Sequence, residues 1–182
     1  SVNLTQIAKA LSLSKATCTR AINDLSASGL ISQTAEGTNK WITTAYTKSE
    51  LLEKAYGRLK TPVDRILYVK GTAQIEHPIA SGIRALARQS MIGVNDQDGA
   101  IAISKKEAAK IPAEDICTKQ YFEDFGGAVI EVWSYDPTIL ERDGCVDDIS
   151  LLLSMDNDPN ERVQTCLDEI RQKHGLPIKE EE

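Results

Sequence analysis

Two short apolar patterns separated by only three residues, LTQIAKALSLSKATCTRAINDL (residues 4–25), constrain the fold more than any other feature of the chain. Ile7, Ala8 and Leu11 recur at the i, i+1, i+4 spacing of one buried helix face, with Thr5 placed to cap that helix. Ser12, Leu13 and Ser14 read as the turn, and Ser14 is positioned to cap a second helix starting at Lys15. In the second helix Cys18, Ala21 or Ile22, and Leu25 form the inward stripe, and Gly29 stops it after Ser26–Ser28 by supplying a left-handed backbone. A tight turn leaves two such helices no room to pack side by side along their length, so they cross as a helix-turn-helix.

The outward stripe carries the functional expectation. Lys15, Ala16, Thr19, Arg20 and Asn23 are expected to share the face opposite the core, free of large apolar and acidic side chains. Small residues let a helix approach a groove floor, Arg grips guanine bidentately and Asn does the same for adenine. A merely solvated face would instead carry Glu and Lys pairs at i, i+4. Downstream, Ile31–Thr34 and Lys40–Thr44 read as two strands around a Glu-Gly-Thr-Asn turn, a hairpin signal.

Helix, turn, helix, hairpin is the order of a winged helix. LTQIAKALSLSKATCTRAINDLSASGLI resembles the winged helix-turn-helix of MarR-type bacterial transcription regulators, including its Leu-Ser-Lys turn and Gly-Leu-Ile exit, over about the first quarter of the chain. The resemblance implies a DNA-binding regulator, a repressor, that reads the major groove with the helix of residues 14–28. It makes Ser14 through Asn23 the recognition segment, with Lys15 and Arg20 on phosphate or guanine and with Ala16 giving clearance. Ser14, Thr17, Thr19 and Asn23 would position or read, and Thr38, Asn39 and Lys40 would serve from the wing, residues 36–40. That wing has no arginine at its tip, which argues against minor-groove insertion. Such domains also have a helix ahead of this pair. Only Ser1–Asn3 precede Leu4, so either the chain is expected to be a fragment of something longer or a later helix takes that place.

Charge fits the same division. Residues 1–48 hold Lys9, Lys15, Arg20, Lys40 and Lys48 against Asp24 and Glu36, a net of +3 in a chain of net −6, which leaves −9 for the remainder. A basic segment that meets an anion and an acidic body that stays in solution or meets a protein are expected. No run of about 18 apolar residues is present and the N-terminus has no signal-peptide pattern, so neither membrane nor export is expected and the protein reads as cytoplasmic. Cys18, Cys117, Cys145 and Cys166 include no C-x-x-C, so reduced thiols are expected rather than a zinc site or a redox pair.

From residue 47 the pattern changes. SELLEKAYGRL (49–59) places Leu51, Leu52, Ala55, Tyr56 and Leu59 on one helical face, with Thr47 or Ser49 as cap, as a linker or seam over 47–61 or as a helix packed within its own domain. RILYVKG (65–71) reads as a strand, and PIASGIRALARQS (78–90) as a helix opened by Pro78 with Ile79, Ile83 and Leu86 inward. MIGV and AIAI flank Asn95–Gly99 as a hairpin. Ser104 and Glu107 form a capping box, and GAVIEVWSYDP (127–137), apolar on both faces except Glu131 and Ser134, reads as a central strand. The expected fold class is α+β: a winged helix over 1–46, then a mixed α+β regulatory or dimerisation domain over 47–182.

Catalytic and metal motifs are absent. The chain has no G-x-G-x-x-G, no G-K-[ST], no H-E-x-x-H and no G-x-S-x-G, and its two histidines, His77 and His174, fall at helix ends where a structural role suffices. Asp156–Glu161 starts like a calcium loop but has Glu161 at position six and Leu167 at position twelve. It reads instead as a capping box, Asp158 with Glu161 around Pro159, for a helix over 159–174 whose apolar face is Val163, Cys166, Leu167 and Ile170. Asp143, Asp147 and Asp148 around Cys145 read as a solvated turn. No cofactor, no metal and no enzymatic activity are expected. GIRALARQSMI, EVWSYDP and VDDISLLLSMDNDPNERVQTCLDEI are distantly similar to the C-terminal domains of AbiEi-type antitoxins, which repress their own operon beside a nucleotidyltransferase toxin. That similarity implies double-stranded DNA, a second copy of the chain, and either a small-molecule effector or a cognate toxin as partners. The other function class open to such a chain is a protein-interaction module whose winged helix no longer binds DNA.

Overall fold

The computed structural model describes residues 2–37, 39–71, 75–93 and 99–178, without the side chains of Glu36 and Asn39. It is mixed α+β and divides into two compact units. The first holds the described residues up to Leu59 together with His174–Pro177, and the second holds those from Lys60 to Lys173 with Ile178.

The N-terminal unit begins with a strand that the sequence did not announce. β1 (Val2–Asn3) runs directly into α1 (Leu4–Ala10), followed by α2 (Lys15–Ala27), β2 (Ser32–Glu36), β3 (Asn39–Thr43) and α3 (Lys48–Tyr56). The three strands form an antiparallel sheet in the order β1-β3-β2, with Val2 opposite Ile42 and Gln33 opposite Ile42 on the other side. Asn3, not Thr5, caps α1: its side chain accepts from the Gln6 backbone N–H, and the Gln6 side chain accepts from the Asn3 N–H, both at 2.9 Å. The reason is reciprocity, because an Asn with Gln three residues on satisfies two free N–H groups, whereas Thr5 has Ala8 at that spacing.

Ser14 caps α2, its Oγ accepting the Thr17 N–H at 3.1 Å. At the other end Gly29 adopts φ +71°, so that Leu30 N–H reaches Leu25 O and Gly29 N–H reaches Ser26 O, a Schellman ending. The core of this unit is small: Ala8, Cys18, Ile22 and Ile42, with Leu4, Ile7 and Ile31 against them. Of the expected inward stripe, Cys18 and Ile22 are buried, whereas Leu25 and Ala21, the alternative to Ile22, are exposed. Thr47 caps α3 in a box with Glu50, and those hydrogen bonds hold the Glu50 carboxyl below the ordinary carboxylate range. No residue of α3 is buried.

The C-terminal unit is built on a five-stranded sheet. Its elements are β4 (Val63–Val69), β5 (Ile79–Ala80), α4 (Gly82–Gln89), β6 (Ala100–Ser104), α5 (Lys105–Ala108), β7 (Ile116–Cys117), α6 (Lys119–Phe125), β8 (Ala128–Trp133), α7 (Asp148–Met155) and α8 (Glu161–Lys173). The order is β5-β6-β8-β4-β7, antiparallel except for the parallel pair β6–β8. β8 is central, as its apolar run predicts. Ile130 and Val132 join Val69, Ile103 and Ala108 on one face, and by strand alternation Glu131 and Trp133 point to the other. Where β8 begins, Gly127 has φ +143° and comes so close to the Val69 carbonyl that a Cβ would lie 2.2 Å from its oxygen; only glycine fits.

Three expectations are corrected in this unit. Residues 78–90 are a short strand followed by a helix, since Ile79 and Ala80 pair with Ala102 and Ile101 before α4 starts at Gly82. The hairpin at 91–104 does not form as expected: β6 takes β5 and β8 as neighbours, Met91–Gly93 are not in a strand, and residues 94–98 lie outside the described set. Finally, α8 starts at Glu161 rather than 159. Asn160 Oδ1 accepts the Arg162 N–H at 3.0 Å, and Asp158 Oδ1 is taken by the Asn160 N–H one step earlier. Its apolar face is as expected, with Val163, Leu167 and Ile170 buried.

Candidate functional site

The exposed face of α2 is where the sequence-derived candidates meet. Lys15, Ala16, Arg20 and Asn23 are all exposed, as is Ser14 ahead of them. Thr17 is exposed too, but its hydroxyl is held 2.8 Å from that of Ser14, so it orders the helix start.

Thr19 belongs elsewhere. It is half-buried, its Oγ1 donates to Lys15 O at 2.8 Å, and with Ile22, Gln33 and Lys40 it lines a cavity of about 100 Å³ between α2 and the sheet. The 100° step of a helix explains this: Thr19 follows Cys18, which points into the core, and cannot share the centre of the opposite face; Lys15, one turn earlier, lies on the same flank and is exposed as the first residue of the helix. Asn23 is exposed but tethered, its Oδ1 accepting from Gln33 Nε2 at 3.3 Å, which joins α2 to β2. Lys40 is exposed on β3; Thr38 and the side chain of Asn39 lie outside the described residues.

A residue that the sequence reading left off this face is on it. Asp24 is exposed one turn beyond Arg20, so an acidic side chain borders the basic ones. Helical angle alone was the signal: residues 16, 20, 23, 24 and 27 centre on the side away from Cys18 and Ile22.

Polar groups in the C-terminal unit form three interior clusters. Glu131, 8 % exposed, accepts from Trp133 Nε1 at 3.0 Å and from the fully buried Ser81 hydroxyl. Both donors converge on its Oε2, so that this oxygen is satisfied within the core. Arg171, 1 % exposed, holds Asp156 and Asp168. Burial disfavours its charge, but the two aspartates outweigh that and push the guanidinium above its ordinary range. Tyr135, hydrogen-bonded to Ser150, is also raised, chiefly by burial, against the Ser150 hydrogen bond and with Asp147 adding to the rise. Among the described residues no group of three or more His, Cys, Asp or Glu side chains is placed to hold a metal, and no helix is long and apolar enough to cross a membrane.

Comparison with protein-family models, with curated proteins and with solved structures finds no match to this chain.

Proposed function

We propose that the N-terminal unit is a winged helix-turn-helix and that the protein is a bacterial, cytoplasmic transcription regulator, a repressor, that places α2 in the DNA major groove. The observation that carries the reading is the surface of α2: Lys15, Ala16 and Arg20 are exposed on one helix whose inner side is fixed by Cys18 and Ile22. Clearance comes from Ala16, charge from Lys15 and Arg20, and rigidity from the Ser14 cap and the Asn23–Gln33 bond. The β2–β3 hairpin follows the helix as a wing would.

A dimer of this chain on a palindrome sets half-sites about 10 bp apart, and its affinity falls steeply with salt. The test is fluorescence anisotropy with the full chain on a random duplex and on the DNA upstream of its own gene, at low and physiological salt. Arg20→Ala is expected to weaken binding by about tenfold or more, a loss of roughly 1–3 kcal/mol, with unchanged thermal stability. Asp24→Asn is expected to tighten binding a few-fold by removing a carboxylate that faces phosphate.

Asp24 also favours a second reading, in which this surface meets a protein and the acidic body holds a partner, as the resemblance to antitoxins implies. Under it, the folded chain shows no DNA binding even at low salt, and Asp24→Asn changes nothing in the titration.

A further inference from the structure

The C-terminal unit holds a cleft of about 320 Å³, within the roughly 300–1,000 Å³ range of small-molecule sites, that the DNA reading does not use. Its walls are the end of α4, the turn from Arg142 to Cys145, the start of α7 and the end of α8. The turn is rigid. Asp143 and Gly144 have φ +51° and +73°, the left-handed pair a type I′ hairpin turn requires, and Arg142 and Cys145 exchange both backbone hydrogen bonds at 2.9 Å. Arg88 Nη1 donates to Gly144 O at 3.3 Å, which fixes the turn against α4.

The lining is charged in both senses and sums to zero. Arg88, Arg142 and Lys173 supply three cations; Asp143, Asp147 and Asp148 supply three carboxylates. Several of these are committed. Asp147 caps α7 through the Ser150 N–H, and Asp148 pairs with Lys173 at 2.9 Å. The Arg142 guanidinium is not: no hydrogen bond or ion pair engages it among the described residues. Beneath lie Cys145 and Val146, 5 % and 1 % exposed.

We propose that this cleft binds a small zwitterion with a carboxylate and an ammonium on the same carbon, that is, a free α-amino acid. Its carboxylate takes the open fork of Arg142 beside Arg88, and its ammonium lies against the Asp143 carboxylate. A plain anion would meet three carboxylates and a plain cation three positive groups, so only a ligand with both charges gains at both ends.

The test is calorimetric titration of the full chain, without DNA, with each of the twenty common L-amino acids at millimolar concentration. At least one is expected to bind, its deaminated acid and its decarboxylated amine at least about tenfold more weakly. Arg142→Ala, at an exposed position, is expected to weaken binding at least about tenfold with an unchanged melting temperature. The proposal is overturned if no amino acid binds, if the deaminated acid binds as well as its parent, which would make this a simple anion site, or if Arg142→Ala binds like the original. No DNA is present, so the outcome stands apart from the regulatory reading.

Discussion

The two units bury their chains in opposite ways. The N-terminal unit closes on Ala8, Cys18, Ile22 and Ile42, buries no charged residue among those described, and leaves Leu25 at its surface. The C-terminal unit fully buries Trp133, Leu86, Leu151, Leu152 and Leu167 together with Ser81 and Arg171, and it buries Glu131 as well. A thin core has little apolar area to spare, so a buried charge there would outweigh what holds the unit together. A larger core tolerates polar groups provided each finds partners, as Glu131 does in Ser81 and Trp133. Polar residues therefore mean different things in the two places: among the described residues of the N-terminal unit no polar side chain is buried, and in the C-terminal unit Ser81, Glu131, Ser150 and Arg171 hold the interior.

Each unit has one tryptophan, Trp41 in β3 and Trp133 in β8, so a Trp41→Phe or Trp133→Phe background isolates the urea unfolding of the other unit. The largest effect is expected from Arg171→Leu, which removes the two ion pairs to Asp156 and Asp168 and costs about 3 kcal/mol in the Trp133 transition. A neutral result would mean that the guanidinium contributes nothing to the larger core. Ile22→Ala is expected to cost about 2–3 kcal/mol in the Trp41 transition alone; an equal shift at Trp133 would join the two units into one cooperative block and remove the contrast. Ser14→Ala removes the α2 cap, at about 1 kcal/mol by the same Trp41 readout.

The smallest effect concerns pH. Because burial raises Tyr135 in the folded chain, its contribution to stability is fully present below the ordinary tyrosine value of about 10 and is lost as pH rises through the raised one. Phenolate absorbance is expected to show one tyrosine titrating late, and Ser150→Ala, which deletes the hydrogen bond opposing the rise, to delay it further. A Tyr135 that titrates no later than a free tyrosine would contradict its half-buried position.

Where sequence and structure agree, the signal is local. The Ser14 and Ser104 caps, the Gly29 stop, the β2–β3 hairpin and the apolar stripe of α8 each rest on residues within a few positions of one another. β1, β5 and β7 were missed because each is two residues long, too short to show alternation, and exists only through pairing with a distant strand. The candidate face of α2 was legible in outline. Its details were not, since Thr19 turns toward the sheet and Asn23 bonds Gln33 only once β2 is folded beside the helix.

The aspartates at 143, 147 and 148 make the same point. By sequence they are a solvated turn around Cys145. In the fold they separate into a left-handed turn position, a helix cap and a partner of Lys173, twenty-five residues away, while the thiol between them is buried. The amino-acid sequence by itself determined the mixed α+β class, the helix pair and hairpin, the central strand and the sign of charge on each part, because caps, turns and periodicity act over less than one element. Only the tertiary structure decided which polar groups face outward, which are satisfied within the core and which converge on the cleft. Those choices rest on contacts between residues far apart in the chain, whose geometry no local pattern encodes.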